Sequence, residues 1–417
     1  DLKAWSAKWL EESGINTIAT EVEENADGTI ASLTLNQTAP AEHPVLRPHR
    51  LAVGFYDEDP ATGKIVRTDR FELDVDGEST VVAAAAGKKR PAFILVNDDD
   101  LTYTKLRFDA DSLSFALANL QRFDDALARA VVWLSLWDMT RDGDLAAEKF
   151  IDTTLALLAT ETESTTFRYA LSCMSTTAWH YTAPDRRADV VKHIAKELWK
   201  LVIAAPGGSD QQFQLVTAYL GYGEEGDAEF AEHAQGLFDG SLIVAGLEID
   251  NNFTWTIINA LSSVKLIDQA GIDAQLAKRD TTENREFALG AHAVRGDAAA
   301  KEWAWNEALN NADLTNMQLE AVARGVGATP RPDLAEPYAA KYYDVVDWVW
   351  KNKSFHMAEA LLEGLYPYYA DPATLVELGH RWLTDHEDAD NALKRIVRGN
   401  VESSQRTLKV RDFNAAL

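Results

Sequence analysis

The pattern of apolar residues changes once along the 417-residue chain, close to residue 110, and this change limits the folds that the chain can adopt. Up to about Phe108 apolar and polar side chains alternate between short turn-rich breaks, which predicts β-strands. Beyond Ser112, Ala, Leu and Trp recur at helical spacing, and glycine is confined to the ends of segments. The sequence therefore predicts an α+β multidomain chain, with a small β part followed by a large helical part.

The predicted strands have turn signals between them. Leu51, Val53 and Phe55 share one strand face, and Asp27-Gly28 and Asp76-Gly77 supply the residues that tight hairpin turns need. Several such strands in fewer than about one hundred residues predict a small antiparallel β-sandwich over residues 14–110.

The helical region over residues 111–417 has readable breaks, among them Pro206-Gly207-Gly208 and the stretch from Gly325 to Pro332. They leave helices of about ten to twenty residues joined by short loops, which is the geometry of stacked antiparallel helix pairs. No strict repeat is visible. We therefore expect an irregular, HEAT-like α-solenoid.

Residues 1–13 predict a short terminal helix whose apolar residues Leu2, Trp5, Trp9 and Leu10 share one face, followed by Gly14 as a C-cap. A helix of this length is not stable in isolation. We expect its apolar face to pack on a domain outside this chain.

Net charge and cysteine usage exclude several classes of function. The formal charge of -26 repels phosphate backbones and anionic lipids, so nucleic-acid and membrane partners are not expected. No apolar run approaches the roughly 18 to 20 residues that span a bilayer. Because Cys173 is the only cysteine, an intrachain disulfide is impossible, and we expect a cytoplasmic protein.

No metal or cofactor site is predicted. A zinc site of the His-Glu-x-x-His type does not occur, and the nearest approach, His386 to Asp390, has an aspartate in place of the second histidine. Other histidine and carboxylate pairs at helical spacing are interpreted as surface ion pairs. They are His193 with Glu197, Glu229 with His233, and His356 with Glu359.

The remaining candidates have structural interpretations. Cys173 is expected in the core, Gly221-Tyr222-Gly223 and Gly325-Val326-Gly327 end helices, and the dispersed tryptophans pack between helices. The aromatic run Tyr366-Pro367-Tyr368-Tyr369 could line a cavity, although a structural role is preferred.

Basic residues are scarce and fall in two places: Lys88-Lys89-Arg90 in the β region, and a set in the last helix. The members of that set are Lys394, Arg395, Arg398, Arg406, Lys409 and Arg411. One interpretation is that these cations stabilise the C-terminal end of the helix through its dipole. The other is that they attract an anion such as the C-terminal carboxylate of a peptide.

Several segments resemble bacterial aminopeptidase N. The terminal segment from Trp5 to Ile18 is similar to the junction that closes the catalytic domain of these zinc aminopeptidases. Residues 46–57 and 90–105 resemble the β domain of the family, and residues 129–142 and 299–305 resemble its helical domain. The likeness runs through the whole chain in order.

This resemblance implies that the chain is the non-catalytic C-terminal region of a zinc aminopeptidase that removes N-terminal residues from peptides. The family's zinc ligands and catalytic residues lie in preceding domains, so no catalytic residue, metal ligand or cofactor is assigned in this chain, and its substrate-binding residues stay unknown. The implied partners are the catalytic domain of the same polypeptide and peptide substrates. Thr254, before Trp255, stands where an arginine is expected in close relatives.

A concave helical array over the active site would restrict access to peptides. The alternative is a stand-alone α-solenoid module that binds other proteins, with the β-sandwich as a wedge. The terminal helix favours the first interpretation, because a stand-alone module has no need of a Trp-rich segment there.

Overall fold

The computed structural model describes residues 2–417, and the chain divides into two compact units, residues up to Ser175 and residues from Thr176 to the end. Asp1, the first residue of the predicted terminal helix, lies outside the described residues. The change from strands to helices occurs between the last strand, which ends at Arg107, and a helix that begins at Ala110. The predicted α+β class, with strands first and a large helical part after them, is confirmed.

The first unit contains all seven described strands. They are β1 (Thr17–Glu24), β2 (Ile30–Thr38), β3 (His49–Glu58), β4 (Ile65–Val75), β5 (Ser79–Val81), β6 (Phe93–Val96) and β7 (Lys105–Arg107). Its helices are α1 (Leu2–Leu10), α2 (Ala110–Asn119), α3 (Ala126–Asp142), α4 (Ala147–Leu158) and α5 (Ser164–Thr176), with short 3-10 turns at Ala83–Ala85 and Leu120–Arg122.

The strands form two sheets, in the orders β5-β2-β1-β7 and β4-β3-β6. Ile18 and Leu33 of the first sheet and Leu51 and Val53 of the second are fully buried, so the core includes residues of both sheets. The pairing is antiparallel except between β1 and β7, which run parallel. The expectation of a purely antiparallel sandwich is wrong at this pair, because β7 returns to the first sheet from β6 of the second rather than through a hairpin.

Helix α1 packs on the β region. The guanidinium of Arg47 donates from Nε to the carbonyl of Lys8 at 2.9 Å and from Nη2 to the carbonyl of Glu12 at 2.8 Å. A cation at the C-terminal end of a helix is favourable because the carbonyls there have no partner within the helix. The helix ends at Leu10, three residues before the predicted boundary, while Gly14 adopts the expected left-handed conformation with φ +90°.

The second unit is helical. Its helices are α6 (Arg187–Ala204), α7 (Asp210–Leu220), α8 (Ala228–Asp239), α9 (Asn251–Ser263), α10 (Gln269–Lys278), α11 (Thr282–Ala293), α12 (Ala298–Asn310), α13 (Asn316–Gly327), α14 (Pro332–Ala335), α15 (Ala339–Asn352), α16 (Phe355–Gly364), α17 (Pro372–Asp385) and α18 (Asn391–Ala415). A π-helical turn at Thr177–Tyr181 precedes α6, and a 3-10 turn at Glu336–Tyr338 precedes α15. In the described residues 2–417 no helix is both long enough and apolar enough to cross a membrane.

Aspartate begins many of these helices, which accounts for part of the acidic excess. The carboxylate of each capping residue accepts a hydrogen bond from a backbone N–H of the first turn, which satisfies a donor that has no partner within the helix. The capping aspartates are Asp109, Asp125, Asp227, Asp250, Asp268, Asp297, Asp371 and Asp390.

The helices of the second unit form two layers. An inner layer consists of α7, α9, α11, α13, α16 and α18, each in contact with the next, and an outer layer consists of α6, α8, α10, α12, α15 and α17. Helices α6, α8, α10 and α12 pack mainly against their inner partners rather than against one another. Neighbouring inner helices thus contact one another along the whole layer, as expected for an α-solenoid.

Candidate functional site

The close packing of the inner layer depends on small residues where two helices meet. A Cβ atom added at Gly325 of α13 would lie only 2.4 Å from the Cβ of Ala293 at the end of α11. A Cβ at Gly364 of α16 would lie 3.0 Å from the Cβ of Ala323 of α13. Real Cβ atoms need more space than this, so glycine is required for the close approach of these helices.

The two ends of the array are joined. Arg411 of α18 donates from Nε to the carbonyl of His180 at 2.8 Å, and Asn414 donates from Nδ2 to the carbonyl of Tyr181 at 3.3 Å. Both carbonyls belong to the π-helical turn that precedes α6. The helical unit is therefore closed on itself, which limits its freedom to flatten.

A groove of about 460 Å³ lies on the inner layer between α9, α11 and α13. Its walls are mainly apolar and include Phe287, Val294, Met317 and Ala321. The side chain of Met317 is 59% exposed, which is unusual for a large apolar residue on a helix. Asn259 of α9 also lines this groove, and its buried Oδ1 accepts no hydrogen bond within the described chain.

Two carboxylates and one guanidinium group, that of Arg324, line this groove. Glu286 and Glu320 line it directly. Glu320 has only loose cationic neighbours, because its oxygens lie 3.6 Å from Nε2 of His356 and 3.9 Å from Nη2 of Arg324. Exposed pairs at such distances are weak, so the rim keeps a negative potential that would attract a cationic ligand.

The predicted basic set of the last helix lies on α18, which also belongs to the inner layer. Arg395 lies 4.0 Å from Glu359 of α16, and Lys394 donates to the carbonyl of Glu387 at 2.7 Å. Arg398, Arg406 and Lys409 form no ion pair with another residue of the described chain. The other basic segment is neutralised, since Lys88 pairs with Asp69, and Arg90 pairs with Glu24 and Asp109.

The histidine and carboxylate pairs do not converge. His386 donates from Nδ1 to the carbonyl of Trp382 at 2.8 Å, and its Nε2 lies 2.9 Å from Asp347 of α15. His233 stacks on Trp199 and forms a hydrogen bond with Tyr219. His356 approaches Glu320 rather than the predicted Glu359. Glu197 is bonded to Lys200, which holds the pKa of Glu197 below its usual value. Among residues 2–417 no group of three or more His, Cys, Asp and Glu side chains could hold a metal ion.

The aromatic run after α16 packs against α18. Tyr366 is fully buried, and its hydroxyl lies 2.8 Å from that of Ser404. Tyr368 reaches Asn400 Oδ1 at 3.3 Å, and Tyr369 stacks on His180 with ring centroids 4.9 Å apart. These contacts fit the preferred structural role.

Cys173 is buried in α5, and burial raises the pKa of its thiol to about 12, so it is not a reactive nucleophile.

The glycine segments and the tryptophans have the structural positions expected for them. Gly221-Tyr222-Gly223 follows the end of α7, and Gly325-Val326-Gly327 forms the last turn of α13. Trp133 and Trp255 are almost fully buried between helices, whereas Trp348 is an exposed exception.

Comparison with known protein families matches the chain from its last two strands onward. The family described as "ERAP1-like C-terminal domain" matches residues 93–406, from β6 to α18. The chain belongs to this family. Aminopeptidase N of Streptomyces lividans is 35% identical to this chain over 422 residues. The alignment covers all of this chain and 49% of that protein. The chain thus spans about half the length of the curated relative, and its resemblance to the C-terminal half of an aminopeptidase N type enzyme is confirmed.

Thr254, which stands where the resemblance implies an arginine, uses its hydroxyl within α9 and donates to the carbonyl of Asp250 at 2.7 Å. The groove residues Phe287 and Met317 were not singled out, because each looks like an ordinary apolar position of an amphipathic helix. The exposure of Met317 becomes apparent only when neighbouring helices are in place.

Proposed function

We propose that this chain is the non-catalytic region of a zinc aminopeptidase and that its concave helical face restricts the active site to peptides. The observation that carries the proposal is the closed inner layer with a groove between α9, α11 and α13. A groove of about 460 Å³ accommodates side chains of an extended peptide but no folded domain.

The charges of the inner layer support peptides as the substrate class. Glu286 and Glu320 line the groove and favour the cationic N-terminus and basic side chains of a peptide. The unpaired Arg398, Arg406 and Lys409 of α18 are suited to attract its C-terminal carboxylate. In this function the zinc ion is held by another part of the enzyme, as the resemblance to aminopeptidase N implies. The single cysteine suits a cytoplasmic enzyme.

The test uses the enzyme that contains this chain together with its peptidase domain. Met317→Glu places a charge in the groove and is expected to raise KM for peptides of about eight to ten residues several-fold. It should leave hydrolysis of a small aminoacyl-anilide unchanged, because the anilide does not reach the groove. Ile243→Glu is the matched control, since Ile243 is a strongly exposed apolar residue in the loop between α8 and α9.

Equal effects of Met317→Glu on the anilide and on peptides would contradict the proposal, as would unchanged kinetics on both. The alternative of a stand-alone interaction module predicts that the chain binds a folded partner through the groove. The carboxylates and the small size of the groove favour a peptide over such a partner.

A further inference from the structure

A second cavity, of about 710 Å³, lies at one end of the helical unit, away from the groove between α9, α11 and α13. Its walls come from the π-helical turn before α6 and from the loops that follow α7, α9 and α13. The residues that matter for its chemistry are Trp179, Glu224, Glu225, Val264, Pro330 and Arg331.

The helix ends around this cavity favour positive charge. Helices α7, α9 and α13 end at Leu220, Ser263 and Gly327, so their C-terminal turns lie close to its walls. Only α6 begins there, contributing Ala188 of its first turn. Each helix C-terminus carries a partial negative charge, and three such ends outweigh one N-terminus.

Cations of the chain already occupy this end of the unit. Lys301 is 1% exposed, and its ammonium donates to the carbonyls of Ala293 at 2.8 Å and Gly325 at 2.7 Å, and to the hydroxyl of Thr329. Glu225 at the cavity wall is bound by two cations, Lys265 at 3.0 Å and Arg331 at 2.7 Å. The carbonyls of Ala293 and Gly325 and the carboxylate of Glu225 thus already have cationic partners.

Glu224 is the exception. It lines the cavity and is half-buried, yet its carboxylate forms no ion pair with another described residue. Arg187 and Lys192 are close enough to act on it electrostatically, but Asp227 and Asp189 act in the opposite sense. A half-buried carboxylate without a direct partner is energetically unfavourable, and a cationic ligand would remove that cost.

The cavity also has an aromatic residue in its wall. The indole of Trp179 lines the cavity and stacks on Tyr222 with ring centroids 6.3 Å apart. Val264 and Pro330 add apolar surface. A guanidinium group can lie against an indole face while it bonds to a carboxylate, and its aliphatic stem suits the apolar surface.

We propose that this cavity binds the guanidinium group of an arginine side chain, with Glu224 as its carboxylate partner and Trp179 as its aromatic wall. The proposal rests on the proposed function only in taking a peptide as the bearer of that side chain. Binding itself needs no peptidase domain, so a binding experiment on this chain and a hydrolysis assay on the enzyme can fail separately.

The test is isothermal titration calorimetry of the 417-residue chain with N-acetyl-argininamide at physiological ionic strength, where diffuse attraction to an acidic protein is screened. N-acetyl-citrullinamide, which has nearly the same shape without the charge, is the ligand control. We expect one site for the arginine compound and about tenfold weaker binding to Glu224→Gln, the loss typical of one charge-assisted hydrogen bond. Glu283→Gln is the matched control and should bind as the unaltered chain does, because Glu283 is an exposed carboxylate in the first turn of α11 and does not line the cavity.

Three results would overturn the proposal: no binding of N-acetyl-argininamide to the unaltered chain, equal binding of the citrulline compound, or equal losses in Glu224→Gln and Glu283→Gln. The last result would mean that the ligand responds to the net charge of the chain rather than to this cavity.

Discussion

Arg129 and Glu161 form a buried, two-pronged ion pair, with Nε 2.8 Å from Oε2 and Nη2 3.0 Å from Oε1. The remaining hydrogen-bonding capacity is also used, since Arg129 Nη1 donates to the carbonyl of Phe123 and Glu161 Oε1 accepts from the N–H groups of Thr162 and Glu163. Burial by itself raises the pKa of Glu161, but the hydrogen bonds from Arg129 and the backbone hold it below its usual value. The pair joins α3 to the loop between α4 and α5.

Arg129→Met should destabilise the chain by about 3–5 kcal/mol, because it leaves a buried carboxylate without its cation. The free energy of unfolding in urea measures this loss. Arg285→Met is the matched control: Arg285 makes the same two-pronged contact with Asp280, but in solvent. Removing it should have little measurable effect. Similar losses in both variants would contradict the role assigned to burial.

The free energy of unfolding of the β region should decrease as the pH is lowered, because His49 becomes protonated more readily in the unfolded chain. Burial, with a smaller contribution from nearby Arg47, lowers the pKa of His49 to about 4 from an ordinary value of 6.5. Between these values the unfolded chain binds a proton that the folded chain does not, so stability is complete above about pH 6.5 and falls towards pH 4. The expected contribution is about 2 kcal/mol.

His49→Gln should remove this part of the acid sensitivity. The measurement is the difference in unfolding free energy between His49→Gln and the unaltered chain at pH 7, 6, 5 and 4.5. If that difference is the same at every pH, His49 is not the titrating group.

Lys301 should make the free energy of unfolding depend on pH in the neutral to alkaline range. Burial lowers the pKa of Lys301 to about 7, whereas the unfolded value is near 10.5. Between these values the unfolded state binds the extra proton, so this group makes the folded state relatively more stable as pH rises. Lys301→Met should lose that slope and also cost about 1–3 kcal/mol at pH 7, because the carbonyls of Ala293 and Gly325 lose their donor.

Urea unfolding at pH 7, 8, 9 and 10 compares the two proteins. Equal slopes against pH would show that Lys301 has an ordinary pKa in the folded chain. Lys351→Met, at an exposed position of α15, is the control for loss of a positive charge.

The two tryptophans of α1 should differ in their contribution to stability. Trp9 is partly buried and contacts His49 edge to face at 5.2 Å, whereas Trp5 is 47% exposed. Trp9→Ala should therefore cost about 1–2 kcal/mol in this chain, and Trp5→Ala should cost little. A small cost for both would be expected if the whole apolar face of α1 packed on a domain outside this chain, but Trp9 contacts His49 and Arg47 within it.

Trp5 should matter instead in the larger enzyme. Thermal unfolding of Trp5→Ala is compared in this chain and in the enzyme that contains it, and a loss confined to the enzyme is expected. A large loss in the isolated chain would mean that Trp5 serves the β region rather than an interface with another domain.

The chain by itself should contain no stoichiometric zinc and should not hydrolyse an aminoacyl-anilide. The physical reason is that His233, His356 and His386 each contact a different partner, and no three His, Cys, Asp and Glu side chains of residues 2–417 are grouped to hold a metal ion. Metal analysis of the purified chain and an anilide assay check this together. One tightly bound zinc per chain with measurable turnover would refute it.

The candidate residues illustrate how far sequence reasoning extends. Cys173 was expected in the core and is buried, and the burial of Tyr366 agrees with the structural role preferred for the aromatic run. By contrast, nothing near Glu224 in the sequence distinguishes it from Glu225. The difference between them is that Lys265 and Arg331, distant in the chain, reach only Glu225.

The sequence by itself determined the type and order of the elements, because the period of apolar residues, the capping aspartates and the turn glycines are local signals. It predicted strands before Phe108 and helices after Ser112. Only the tertiary structure decided the parallel pairing of β1 with β7, the choice of inner helices, and the groove that brings Asn259, Phe287 and Met317 together. Periodicity marks which face of a helix is buried, but not which distant helix covers it. That choice depends on packing distances such as the one between Gly325 and Ala293, to which residues far apart in the chain contribute.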